Sequence, residues 1–137
     1  MINLYVYIMS ILKNIFGTSE TEMPKNSSIN WIQITHLGQL SEIQELSFNK
    51  PTIIFKHSTT CSISRMALKN FEREYDLQDQ VEAYFLDLLN FRAISNEIAL
   101  KFDVKHESPQ LLLIKNGISV YDVSHDRIDA DKLKEQI

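Results

Sequence analysis

Beyond residue 28 the apolar positions switch repeatedly between a period of two and a period of three to four, and each switch marks a new element. A short β-prone run over 31–34 leads into 35–48, where Leu37, Leu40, Ile43 and Leu46 fall at helical spacing. The run PTIIFKH over 51–57 is β-branched and aromatic, has strand length, and ends in the polar loop Ser58, Thr59, Thr60. It predicts a buried strand. Starting at or just after Cys61, the residues Ile63, Met66, Ala67, Phe71 and Tyr75 form one apolar stripe, with Arg65, Lys69, Glu72, Arg73 and Glu74 facing away. A third strand follows over 82–88. Asn90 then stands where a cap would open a helix over 91–102, lined by Phe91, Ile94, Ile98 and Phe102. After Pro109 the runs QLLLIK and ISVYDV flank Asn116-Gly117, a strong hairpin signal that makes the last two strands antiparallel neighbours. A helix over 129–137 with acidic residues in its first turn closes the chain. The order βαβαβαββα predicts an α/β fold, a mixed central sheet with helices on both faces.

The N-terminal region follows other rules. Residues 1–16 are strongly apolar but interrupted by Asn3, Ser10, Lys13 and Asn14, and shorter than the roughly 20 residues of a spanning helix. The only basic residue there comes after the apolar run, which disfavours a secretory signal. The segment reads as a short helix. Leu4, Ile8, Ile11, Leu12 and Ile15 can share one of its faces, which leaves contact with a membrane surface open, and Met9 offers an alternative start. Residues 17–28 have the composition of a solvated linker, so the folded domain is expected over 29–137.

Composition narrows the classes of function. The chain has 137 residues, 44% apolar and 23% charged, enough for one domain with a real core. A net charge of -4 provides no basic footprint for nucleic acid. With a single cysteine, no intrachain disulfide or multi-thiolate zinc site can form, and a free thiol fits a cytoplasmic protein. His36, His106 and His125 show no metal-binding spacing and are assigned to structure or solvent.

Cys61 is the residue that carries chemistry. Its predicted place between a buried strand and a helix sets the sulfur beside unpaired backbone N–H groups and the positive end of the helix dipole. Lys56, His57 and Arg65 lie near it in sequence, and such surroundings favour the thiolate, the nucleophile of disulfide exchange. Ser64 occupies the position where a dithiol oxidoreductase carries its second cysteine, so the motif is C-x-x-S and no resolving thiol exists in the chain. A mixed disulfide at Cys61 must therefore be cleared by an external thiol. Ser108-Pro109 precedes the fourth strand, where proline can adopt the cis form and leave the Ser108 backbone open to a strand-like or thiol substrate.

These features resemble the thioredoxin-like superfamily. Within it, the stretches KHSTTCSISRMAL, YFLDLL, ISNEIA and HESPQLLLIKNG resemble the monothiol bacilliredoxins, the YtxJ-like proteins of the bacillithiol system, over about residues 29–137. The resemblance implies a cytoplasmic protein of redox homeostasis and stress response that removes bacillithiol from protein mixed disulfides. Its partners would be bacillithiolated proteins and free bacillithiol as co-substrate, with no bound cofactor. By position, Cys61 is the nucleophile, Ser64 marks the vacant resolving position and Pro109 is the cis-proline. Bacillithiol carries carboxylates, which assigns Lys56 and Arg65 to its charges and Thr59, Thr60 and Ser62 to its hydrogen bonds. The N-terminal apolar segment departs from the family pattern.

Two other readings stay open. A glutaredoxin-like protein could hold an iron–sulfur cluster between two subunits or bind a small thiol, although such proteins carry C-G-F-S and here Ser62 and Ile63 replace the glycine and phenylalanine. A thioredoxin-fold interaction module with an inert Cys61 is the other.

Overall fold

The computed structural model describes residues 29–137, so the expectations for residues 1–16, 17–28 and Met9 lie outside the described residues. The order is β1 (Ile32–Gln33), α1 (Gly38–Leu46), β2 (Thr52–His57), α2 (Ser62–Glu74), β3 (Glu82–Asp87), α3 (Arg92–Lys101), β4 (Gln110–Lys115), β5 (Ile118–Ser124), a 3-10 turn (His125–Arg127) and α4 (Ala130–Lys134). The five strands form one sheet in the order β1-β3-β2-β4-β5. β1, β3 and β2 run parallel, whereas β4 is antiparallel to both β2 and β5. The predicted order and mixed sheet are both present.

Because strand side chains alternate between faces, the central strands feed two cores. Ile53, Phe55, Leu111 and Leu113 pack with Phe71 of α2 and Leu133 of α4. Ile54, Leu112 and Ile114 pack on the opposite face with Leu40 and Ile43 of α1 and Ile94 and Ile98 of α3. Both faces being covered explains why β2 and β4 read as nearly unbroken apolar runs. Truncating the fully buried Phe71 to alanine is worth about 3–5 kcal/mol.

Helices α1, α3 and α4 are shorter than periodicity alone predicts, for local reasons. The helix predicted over 35–48 starts at Gly38, because Gln39 Oε1 accepts from the N–H groups of Thr35 at 2.7 Å and His36 at 3.2 Å and fixes a turn ahead of it. Asn90 does not cap α3: Phe91 takes that place without a side-chain bond, and the Asn90 amide donates to Asp87 Oδ2 at 2.8 Å. The last helix is five residues long, capped by Asp129 Oδ1 accepting from the Lys132 N–H at 3.0 Å. At the hairpin, Asn116 and Gly117 both have positive φ, and a Cβ at Gly117 would lie 2.9 Å from the Phe48 ring.

Candidate functional site

β2 carries the chain to the end of the sheet, the loop 58–60 turns it, and Cys61 opens α2 as its N-cap in an extended conformation. The Cys61 N–H donates to the Ser58 carbonyl at 3.2 Å and its carbonyl accepts from the Arg65 N–H at 3.0 Å. Its backbone is thus fixed from both sides. The sulfur makes no capping hydrogen bond, and the residue is partly exposed. A thiol held this way lies on a partly exposed residue at the positive end of a helix of 13 residues.

The serine three residues on is not an idle substitute for a second thiol. Ser64 is fully buried, its Oγ accepts from the Ser58 N–H at 3.0 Å, and it lies 2.8 Å from His57 Nδ1. Burial, the largest cause, lowers the His57 pKa below its ordinary value, and the Arg65 charge adds to this while Asp87 opposes it. A neutral His57 accepts at Nδ1 the one proton the hydroxyl can give, so a single oxygen joins the end of β2, the loop and α2.

Of the other residues assigned from sequence, Thr59, Thr60, Ser62 and Arg65 are exposed around Cys61, and the Arg65 guanidinium donates to the Thr59 carbonyl at 3.1 Å. Lys56 does not join them. It is fully buried, points by strand alternation to the face covered by α1 and α3, and places Nζ 2.9 Å from His106 Nδ1. Burial lowers its pKa from 10.5 to about 8. The Ser108–Pro109 peptide is cis. Because Gln110 pairs with Lys56, Pro109 sits level with His57 at the end of β2, and its carbonyl accepts from the His125 N–H at 3.0 Å. Among the described residues, no backbone hydrogen bond engages the N–H or C=O of Ser108.

One feature departs from the sequence reading. Ile63 and Met66, placed on the buried stripe of α2, are 58% and 65% exposed, while Ala67, Phe71 and Tyr75 are buried as predicted. With Ser62, Ala67, His125 and Ile128 they line a groove of about 280 Å³ that starts one residue past Cys61. The 3-10 turn supplies its far wall, and no periodicity announces a single such turn. His106, assigned to structure or solvent, is the partner of Lys56 and lies 3.4 Å from Ser95 Oγ. No cue in the sequence pairs residues fifty positions apart.

The fold and the lone thiol define the class, a thioredoxin-like protein with a monothiol redox function. A structure described as a candidate oxidoreductase with a thioredoxin fold is 33% identical, covering 76% of this chain and 90% of that one with a TM-score of 0.66. Thioredoxins of Malassezia sympodialis (20% identity, 80% and 90% coverage, TM-score 0.60) and Schistosoma mansoni (22%, 78% and 92%, 0.58) share the fold. Residues 32–133 match the family of monothiol bacilliredoxin BrxC, and the chain belongs to that family. Among the described residues no helix is long and apolar enough to cross a membrane.

Proposed function

We propose that the protein removes bacillithiol from protein mixed disulfides through Cys61. The observation that carries this reading is the pairing of a partly exposed cysteine at the start of α2 with a buried Ser64 where a resolving thiol would stand. The Cys61 thiolate attacks the bacillithiol sulfur of the mixed disulfide. A Cys61–bacillithiol disulfide forms as the original S–S bond breaks, and the target leaves as a thiolate that takes a proton. Ser64 has no sulfur to finish the exchange, so a second thiolate, of bacillithiol class, attacks the bacillithiol sulfur held on Cys61. Cys61 leaves as thiolate and a low-molecular-weight disulfide is released.

The surroundings fit two halves of such a substrate. The apolar groove of Ile63, Met66 and Ile128 suits the protein half, and the unbonded Ser108 backbone suits an extended segment beside it. Arg65 with Thr59, Thr60 and Ser62 offers a cation and hydroxyls to the carboxylates and sugar of the small thiol.

The test is the intact mass of the reduced protein after incubation with a bacillithiolated and, separately, a glutathionylated test protein. Bacillithiol transferred to Cys61 and absent from Cys61→Ser is the expected result. Transfer from neither donor, with Cys61 still open to alkylation, overturns the reading in favour of an interaction module.

A further inference from the structure

Lys56 is a buried amine on the sheet face away from Cys61, and the exchange chemistry makes no direct use of it. Its place explains what it does. Gln110 lies directly across from Lys56 in the antiparallel β2–β4 pair, so the two side chains stand side by side on one face. Both are fully buried and both hold the same loop: the Lys56 amine meets His106 Nδ1 at 2.9 Å, and the Gln110 amide donates to the Lys105 carbonyl at 2.8 Å. Residues 105 and 106 are thereby fastened to the two central strands just ahead of Ser108 and Pro109.

We propose that Lys56 is a positioning residue for thiol-disulfide exchange, acting through His106 to hold the loop that carries the Ser108 backbone to the end of β2 from which Cys61 emerges. This role rests on the exchange reading above. The bond requires His106 Nδ1 to be free of a proton. The groups facing that ring are Lys56 from β2, Arg92 and the Ser95 hydroxyl from α3, and Glu107 from the loop. Burial, Lys56 and Arg92 together lower the His106 pKa against the opposing pull of Glu107, so the ring is neutral at pH 7 and accepts from the lysine. Acid puts a proton on Nδ1, sets two donors against each other and leaves Gln110 alone to hold the loop. Alkali does not, since a neutral amine still has N–H groups to donate.

The experiment compares two rate constants on the full chain across pH 5 to 8.5: exchange of Cys61 with a glutathionylated or bacillithiolated peptide, and alkylation of Cys61 by iodoacetamide. Their ratio divides out the thiolate fraction and leaves the contribution of the substrate-holding loop. For the native protein the ratio is expected to fall toward the acid end of that range. Lys56→Met, which fills the same space without a donor, lowers the ratio about tenfold at pH 7.5 and flattens its pH dependence, the equivalent of about 1.4 kcal/mol. His106→Gln keeps a neutral acceptor and restores the ratio at pH 7.5 without the acid fall. A folded Lys56→Met whose ratio stays within about twofold of native overturns the positioning role, as does an acid fall that survives in His106→Gln. A native protein that alkylates but exchanges with neither peptide overturns the exchange reading itself, a separate result.

Discussion

Replacing Ser64 by alanine removes one oxygen from the most constrained point of the site. That oxygen accepts from the Ser58 N–H at 3.0 Å and sits 2.8 Å from His57 Nδ1, and all three residues are buried. Alanine leaves an N–H without an acceptor and an imidazole nitrogen without its donor. An unpaired buried group costs about 1–3 kcal/mol. The hole left behind is one oxygen wide, less than the roughly 30 Å³ share of a water, so solvent does not replace the bond. Both interactions share the atom and are lost as a unit, which sets the expected destabilisation at about 2–3 kcal/mol. For a domain of this size, roughly 4–8 °C per kcal/mol puts the fall in Tm at about 10 °C or more. Urea unfolding of native, Ser64→Ala and Ser62→Ala proteins measures it. Ser62, exposed in the same turn, should change stability by less than about 0.5 kcal/mol. A Ser64→Ala loss as small as that control would refute the claim that the hydroxyl clamps the loop.

Other outcomes follow from the same structure. Cys61→Ser should abolish exchange yet move Tm by only a degree or two, since the sulfur caps no backbone group; calorimetry beside the mass assay checks both. The Lys56 pKa is near 8 folded and 10.5 unfolded, so between those values the unfolded chain binds more protons and native stability rises with pH, on the order of 2–3 kcal/mol. Lys56→Met lacks that rise, so native protein should gain on the variant between pH 7.5 and 9.5 in urea titrations; an unchanged gap would count against a buried, charged Lys56. Gly117→Ala has to hold a φ of +84° and push against Phe48 at 2.9 Å, and a loss above about 1 kcal/mol is expected by thermal unfolding. Ile63→Asp with Met66→Asp should slow exchange with a protein mixed disulfide by about tenfold while sparing a small disulfide, and equal slowing of both would remove the groove from protein recognition.

The architecture was legible because the local signals agree with one another. Asn116-Gly117 names its turn by chemistry, the runs TIIF and QLLLI are apolar on both faces, and the stripe of α2 is periodic from Ala67 onward. Cys61 was legible as a position, a thiol between strand and helix. Its surroundings were less so. Adjacency in sequence put Lys56 beside Cys61, but Lys56 is two positions beyond Ile54 on the strand, so both face α1 and α3 while His57 turns toward α2. Ile63 and Met66 fit the helical stripe by spacing, yet among the described residues they stay exposed at the start of α2.

Where the patterning rules fail is itself informative. Nine polar residues are buried among those described. Three of them, Gln39, Ser47 and Thr52, bond to backbone at helix ends and turns. The other six, Lys56, His57, Ser58, Ser64, Ser95 and Gln110, gather at the end of the sheet from which Cys61 emerges. Large apolar side chains are left exposed beside them at Ile63 and Met66. Polar groups placed inside cost stability, and a sequence gathers such exceptions in one place when the chemistry there requires them. The two sheet faces divide the work: the α2 face fixes the thiol through Ser64 and His57, and the opposite face fixes the Ser108 loop through Lys56, Gln110 and His106. The nucleophile and the strand that would receive its substrate are thus held by two networks that begin at neighbouring residues of β2, His57 and Lys56, on opposite faces of the sheet.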